Sequence, residues 1–328
     1  MRRRDFIKLI AGSAAAWPLA ARAQETKVAR IGVLSPFLSS TPPSAGFNAF
    51  KQTLQELGWI EGKSVAFEYR WSEGHADRLP GLAAELVRLN PDPIFCPWGT
   101  PTAVAAKNAT QKIPIVFAGL GDAVGVGLVA SLAQPGGNIT GATIISEETV
   151  AKLLELLREM NPELARVAIL VNLRNPVYRP VLSASEAPAK ALHLRLQTLS
   201  VGAVNDLDRA FEEAAKEGAE GLVVMRDPVI VIAKPQVVAL AAQRRLLAVY
   251  GMRDFVDAGG LISYGPNLAD MYRHVAHTVD QILRGAKPGD LPVEQAARFE
   301  LVVNLKTAKT LGFTIPTSIL IRADEVIE

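Results

Sequence analysis

Residues 28–34 read Val-Ala-Arg-Ile-Gly-Val-Leu, a short, largely apolar and β-branched run that closes on Ser35-Pro36. The segment behind it decides the fold. Phe47, Phe50, Leu54 and Leu57 recur at 3-4-3 spacing, which is one face of a helix, and Gly58 ends it. A short strand followed by such a helix is the building unit of a parallel sheet covered by helices. The unit then repeats. A strand at 64–70 precedes a helix that carries Leu79, Leu82, Ala83 and Leu86 on one face. A short strand at 93–96, a helix at 101–110 and a strand at 113–118 (Ile-Pro-Ile-Val-Phe-Ala) complete one doubly wound lobe.

At Gln134-Pro135-Gly136-Gly137-Asn138 the rhythm breaks. An extended segment at 140–145 resumes it, and a helix follows from near Thr149 with Val150, Leu153, Leu154, Leu157 and Met160 apolar. The cycle then restarts. Strands are expected at 166–171, 195–200, 221–225 and 247–250, with helices reaching to about 194, over 206–217 and to 245 between them. The tail adds a strand fragment at 261–263, a long helix at 267–283, a last strand at 299–303 and a short helix to Leu311. The expected fold is α/β: two doubly wound parallel-sheet lobes joined by a multi-crossing hinge. The N-terminal lobe takes 24–143 plus about 263–292, and the C-terminal lobe takes 144–262 plus about 293–328.

The head of the chain is a separate element. Arg3-Arg4-Asp5-Phe6-Ile7-Lys8 precedes an apolar stretch from Leu9 to Ala21, and Ala21-Arg22-Ala23 is a small-x-small cleavage site. A basic start, a short apolar core and such a site describe a secretory signal over 1–23, and the paired arginines point to the twin-arginine route. The run is too short for the ~20 apolar residues that span a bilayer. Export to the periplasm is therefore expected, away from cytoplasmic nucleotides. Residues 1–23 hold five basic side chains and one acidic one; without them the formal charge of +2 becomes −2. No basic run remains to track phosphates, so nucleic acid is not an expected partner. Cys96 is the only cysteine, so an intrachain disulfide and a cysteine-built zinc site are both excluded. No later apolar run reaches membrane-spanning length, so no insertion is expected after the signal.

Ligands of open parallel sheets bind beyond the carboxyl ends of the strands, and two facing lobes bring both sets of loops into one cleft. Those loops hold Ser35, Trp71, Trp98, Thr100, Asp122, Asn172, Asp227 and Tyr264. Aromatic walls with a few fixed polar groups suit a small molecule. In Trp98-Gly99-Thr100-Pro101, proline at the first helical position would leave Thr100 as N-cap, with nearby amides free for an anionic group. Gly119-Leu120-Gly121-Asp122 follows the fourth strand rather than the first, so it reads as a turn presenting Asp122 to a ligand ammonium, not as a dinucleotide loop. His274 and His277 share a helix face without a Glu or Cys to complete a metal set, and no Gly-x-Ser-x-Gly elbow occurs. No cofactor, metal or catalytic constellation is expected.

Several segments together resemble one family. They are Tyr69-Arg70-Trp71-Ser72-Glu73-Gly74, Gly127-Leu128-Val129-Ala130-Ser131-Leu132 with Pro135-Gly136-Gly137-Asn138, Phe255-Val256-Asp257-Ala258-Gly259-Gly260, and Phe299-Glu300-Leu301-Val302-Val303-Asn304. The chain resembles the ABC-transporter substrate-binding proteins of the tryptophan/tyrosine type, which have a type I periplasmic-binding-protein fold. The resemblance implies a two-lobed receptor that closes on a small solute, such as an aromatic amino acid, and delivers it to an ABC permease. It places Ser35, Thr100, Asp122, Asn172, Asp227 and Tyr264 in the cleft. This chain departs from the family at Asp122-Ala123 and at Asn172-Leu173-Arg174-Asn175-Pro176. The second departure puts Arg174 in the loop and points to a ligand more anionic than a zwitterion. An exported α/β enzyme and a ligand-sensing partner of a membrane receptor are the alternatives.

Overall fold

Two parallel sheets form, the first mainly from strands before residue 144 and the second from strands after it. In the computed structural model, residues 28–40, 44–144 and 146–328 are described; the expected signal at 1–23 lies outside them. The first sheet uses β1 (Ala29–Ser35), β2 (Val65–Trp71), β3 (Ile94–Cys96), β4 (Ile115–Leu120), β5 (Ile139–Thr143) and β11 (Glu294–Gln295), in the order β11-β5-β4-β3-β1-β2. The second uses β6 (Arg166–Val171), β7 (Arg195–Ser200), β8 (Gly221–Val224), β9 (Leu247–Tyr250), β10 (Ile262–Pro266), β12 (Phe299–Asn304) and β13 (Glu325–Ile327). Its order is β13-β12-β10-β9-β8-β6-β7; β10 pairs antiparallel with β12, so β12 and β13 run opposite to the other five strands.

Both faces of each sheet are covered, which is why the central strands read as unbroken apolar runs. In the first sheet, Ile94, Cys96, Ile115 and Phe117 pack with Leu79, Leu86 and Ala103 of the helices Leu79–Arg88 and Thr100–Ala109. Phe95 and Val116 point the other way, to Phe50 and Leu54 of the helix Ala45–Glu56 and to Tyr272 and Val275 of the helix Leu268–Leu283. The second sheet repeats the scheme. Val167, Ile169 and Val171 meet Leu153, Leu157 and Val181 on one face. Ala168, Leu170 and Leu222 meet Phe211 and Val237 on the other.

The chain passes between the sheets after Thr143, after Pro266 and after Gln295, and these crossings are tied together. The Ala296 amide donates to the Thr143 carbonyl at 2.9 Å, and the Asn267 amide donates to the Arg298 carbonyl at 2.8 Å. Asn267 also caps the helix Leu268–Leu283, its side-chain oxygen accepting from the Asp270 amide at 3.0 Å, while its Nδ2 donates to Glu300. A bundle of tied crossings is suited to hinge motion of two bodies.

Three local differences from the sequence reading have simple causes. The helix expected to reach 245 is two, Pro228–Ile232 and Lys234–Gln243, because Pro235 has no amide with which to continue the preceding turn. Strands β11 and β13 are two and three residues long, too short for a periodicity to show. The helix at 100 starts one residue early: Gly99, at φ 75°, is the N-cap, and Thr100 is already helical.

Candidate ligand-binding site

The carboxyl ends of β3, β4 and β8 face one another across the gap between the sheets. Trp98, Thr100 and Gly119 line this cleft from the first sheet, and Asn175, Tyr178 and Arg226 from the second. Ile144, Val177, Met225 and Pro266 make its apolar wall.

Arg226 follows β8 and reaches across the cleft. Its Nη2 donates to the Gly119 carbonyl at 2.8 Å, and its guanidinium carbon sits 5.0 Å from the centroid of the Trp98 ring. Its own carbonyl accepts from the buried Tyr178 hydroxyl. Nη1 is buried and has no hydrogen-bond partner among the described residues. Burial lowers the pKa of this guanidinium from its ordinary value, yet an arginine keeps its charge in proteins.

Trp98 is held as firmly. The Thr102 hydroxyl donates to its carbonyl at 2.6 Å, the Tyr272 hydroxyl donates to the Pro97 carbonyl, and Phe37 meets the indole edge-on at 5.2 Å. Trp98 is 4% exposed, and its Nε1 is a second buried donor without a partner among the described residues. Orphaned buried donors are rare in folded proteins. Two in one cleft, one of them charged, mark a place for an acceptor.

Gly119 is what lets the lobes meet. The register between β4 and β5 shifts between Ala118 and Leu120, and Gly119 sits there at φ 70°. A Cβ at this position would lie 3.3 Å from Arg226 Nη1. The bulge turns the Gly119 carbonyl toward the other sheet.

Behind the cleft lies a polar brace. Asp227 is 1% exposed and accepts from Asn172 Nδ2, Asn175 Nδ2 and the Val229 amide, each at 3.0 Å. Burial raises the pKa of its carboxyl above the ordinary value, and the three hydrogen bonds oppose that rise. Both oxygens are engaged, so Asp227 positions the loop that carries Asn175.

The other sequence candidates are placed as follows. Thr100 lines the cleft and is 2% exposed. Ser35 is buried at the end of β1, its hydroxyl accepting from the Phe37 amide. Trp71 stacks on Tyr69 at 5.2 Å on the edge strand β2, and Tyr264 stacks on Phe299 at 5.5 Å. Asp122 is exposed, and its Oδ1 accepts from the amides of Val124 and Gly125, closing its own turn. Arg174 is exposed and lies over Gly202, where an added Cβ would come within 2.6 Å of its Nε. The cation in the cleft is Arg226, one residue before a candidate. His274 pairs with Glu294 at 3.3 Å. Among the described residues no cluster of His, Cys, Asp or Glu is arranged to hold a metal, and no helix is long and apolar enough to cross a membrane.

Comparison with known proteins places this geometry. The family model for ABC transporter substrate binding proteins matches residues 31–327. A tyrosine-binding protein of Clostridioides difficile is 24% identical over 262 residues, covering 80% of this chain and 75% of its own length. A crystal structure of a conserved domain protein from Vibrio cholerae superposes with a TM-score of 0.84 at 28% identity, over 92% of this chain and 100% of that one. An ABC domain from Streptococcus pneumoniae, solved in complex with L-Trp, superposes with a TM-score of 0.82 at 27% identity, over 91% of this chain and 99% of that one. The two-sheet arrangement is that of type I periplasmic binding proteins, and the chain belongs to the ABC transporter substrate-binding protein family.

Proposed function

We propose that this chain is the periplasmic receptor of an ABC importer. It closes on a small solute, an amino acid (aromatic ones included) or a related small carboxylate, and delivers it unreacted to a permease in the inner membrane. The observation that carries this reading is the pair of buried, unpartnered donors, Arg226 Nη1 and Trp98 Nε1, lining one cleft from opposite sheets. A solute acceptor between them touches both lobes at once, so it binds the closed form better than the open one. Such differential affinity is what shifts a two-state hinge. The relatives that take tyrosine and L-Trp support an amino-acid-like solute. The basic, apolar and small-residue order of 1–23 supports export by the twin-arginine route. Of the residues expected from sequence, Trp98 and Thr100 are proposed to touch the ligand, and Asn172 and Asp227 to hold the loop of Asn175.

The test is a thermal-shift screen of the purified protein against amino acids, aromatic acids and small carboxylates, followed by mass analysis of the recovered ligand. A solute at about 100 times its dissociation constant adds roughly 2.7 kcal/mol of apparent stability. The reading requires at least one such shift with the ligand recovered intact. Conversion of the ligand, or stabilisation only by solutes without an acidic group, contradicts it.

A further inference from the structure

The charges around the cleft narrow the ligand class further, an argument that rests on the reading above. We infer that the solute is a carboxylate without an α-ammonium, an acid with an apolar body rather than a zwitterionic amino acid. Among the described residues that line the cleft, Arg226 is the only charged side chain. Among those described residues no carboxylate joins it. Asp122, expected from sequence to meet an ammonium, is turned into its own loop by the amides of Val124 and Gly125. Asp227 lies behind the wall with both oxygens engaged by Asn172, Asn175 and the Val229 amide. Asp254, which acts on Arg226 from a distance, is paired with Lys234 at 3.5 Å.

An acid group fits what is present. One oxygen takes the bond that Arg226 Nη1 offers, and another takes Trp98 Nε1, both buried and otherwise unpartnered. An ammonium two bonds away finds only neutral acceptors among the described residues that line the cleft. One of these, the Gly119 carbonyl, is already occupied by Arg226. The ammonium would be desolvated close to a guanidinium, and among the described residues that line the cleft no carboxylate offsets its charge. Specificity of this kind comes from the charge left uncompensated in the wrong ligand. The apolar wall of Ile144, Val177, Met225 and Pro266 suits a hydrocarbon or aromatic body.

The experiment is isothermal titration of the purified protein with matched pairs that differ only in the α-ammonium. They are 3-phenylpropanoate and L-phenylalanine, 3-(4-hydroxyphenyl)propanoate and L-tyrosine, and indole-3-propanoate and L-tryptophan. In each pair that binds, the des-amino acid is expected to be tighter by about tenfold or more. Equal or tighter binding of the amino acid overturns this inference and leaves the receptor function standing. Binding of no member of any pair also overturns this inference, and the receptor function then stands or falls with the wider thermal-shift screen. The variant Arg226→Gln supplies a second readout, because a purely structural role would weaken both members of a pair alike. The inference predicts that the preference falls toward parity, and an unchanged preference overturns the assignment to Arg226.

Discussion

Arg226 and Gly119 lie 107 residues apart, one in each sheet, yet the guanidinium of the first donates to the carbonyl of the second at 2.8 Å. The same side chain thus ties the two sheets through Nη2 and, in the proposed function, offers Nη1 to a ligand. In that proposal closure and recognition are coupled through one group. Arg226→Gln is expected to weaken ligand binding about 10- to 100-fold, the range of a charge-assisted hydrogen bond worth roughly 1.5–3 kcal/mol. Isothermal titration checks it, and unchanged affinity would remove Arg226 from the site.

Gly119→Ala tests the other end of that contact. A Cβ at φ 70° is strained, and it would stand 3.3 Å from Arg226 Nη1. The expected loss is about 1–2 kcal/mol of stability, together with weaker ligand binding as the guanidinium is displaced. Urea denaturation and titration measure the two effects separately.

Tyr178→Phe removes the hydroxyl that donates to the Arg226 carbonyl. A buried carbonyl left unsatisfied costs about 1–3 kcal/mol. Affinity is expected to fall several-fold as well, since the backbone that aims Arg226 loses its tie. A variant as stable and as tight-binding as the parent would show that this bond does not position Arg226.

Two carboxylates give stability opposite slopes with pH. Glu220 accepts from the amides of Ala165 and Arg166 and pairs with the Arg166 guanidinium, which together hold its pKa below the ordinary 4.5. Its stabilisation is present above pH 4.5 and is lost as pH falls through the lowered value. Asp227 is the reverse case. Burial raises its pKa above 3.8, so its contribution is fullest below 3.8 and declines as pH rises through the raised value. Denaturant melts across pH 3–7 are expected to show Glu220→Gln flattening the acid limb. An unchanged acid limb would contradict the role given to Glu220.

The alternation of strands and helices was plain in the sequence because buried parallel strands leave unbroken apolar runs such as 166–171, and those bounds match β6. The loops that line the candidate cleft were legible for the same reason, since they follow the carboxyl ends of strands. Which side chain of a loop turns inward was not. Arg174 and Arg226 both follow strands of the second sheet, and nothing local separates them. Arg226 is drawn in by the Trp98 ring and the Gly119 carbonyl of the other lobe, while Arg174 settles over Gly202. Asp122 read as a ligand acid because its partners, the amides two and three residues on, carry no side-chain signal. Thr100 read as the N-cap because Pro101 follows it, although the positive φ of Gly99 gives that place to the glycine.

A crystal structure of the protein with its tightest-binding solute tests the central claim most directly. The solute's acid group is expected within about 2.7–3.2 Å of both Arg226 Nη1 and Trp98 Nε1, with its body against Ile144 and Met225. A solute held by one sheet alone, or outside the gap between them, would contradict the account.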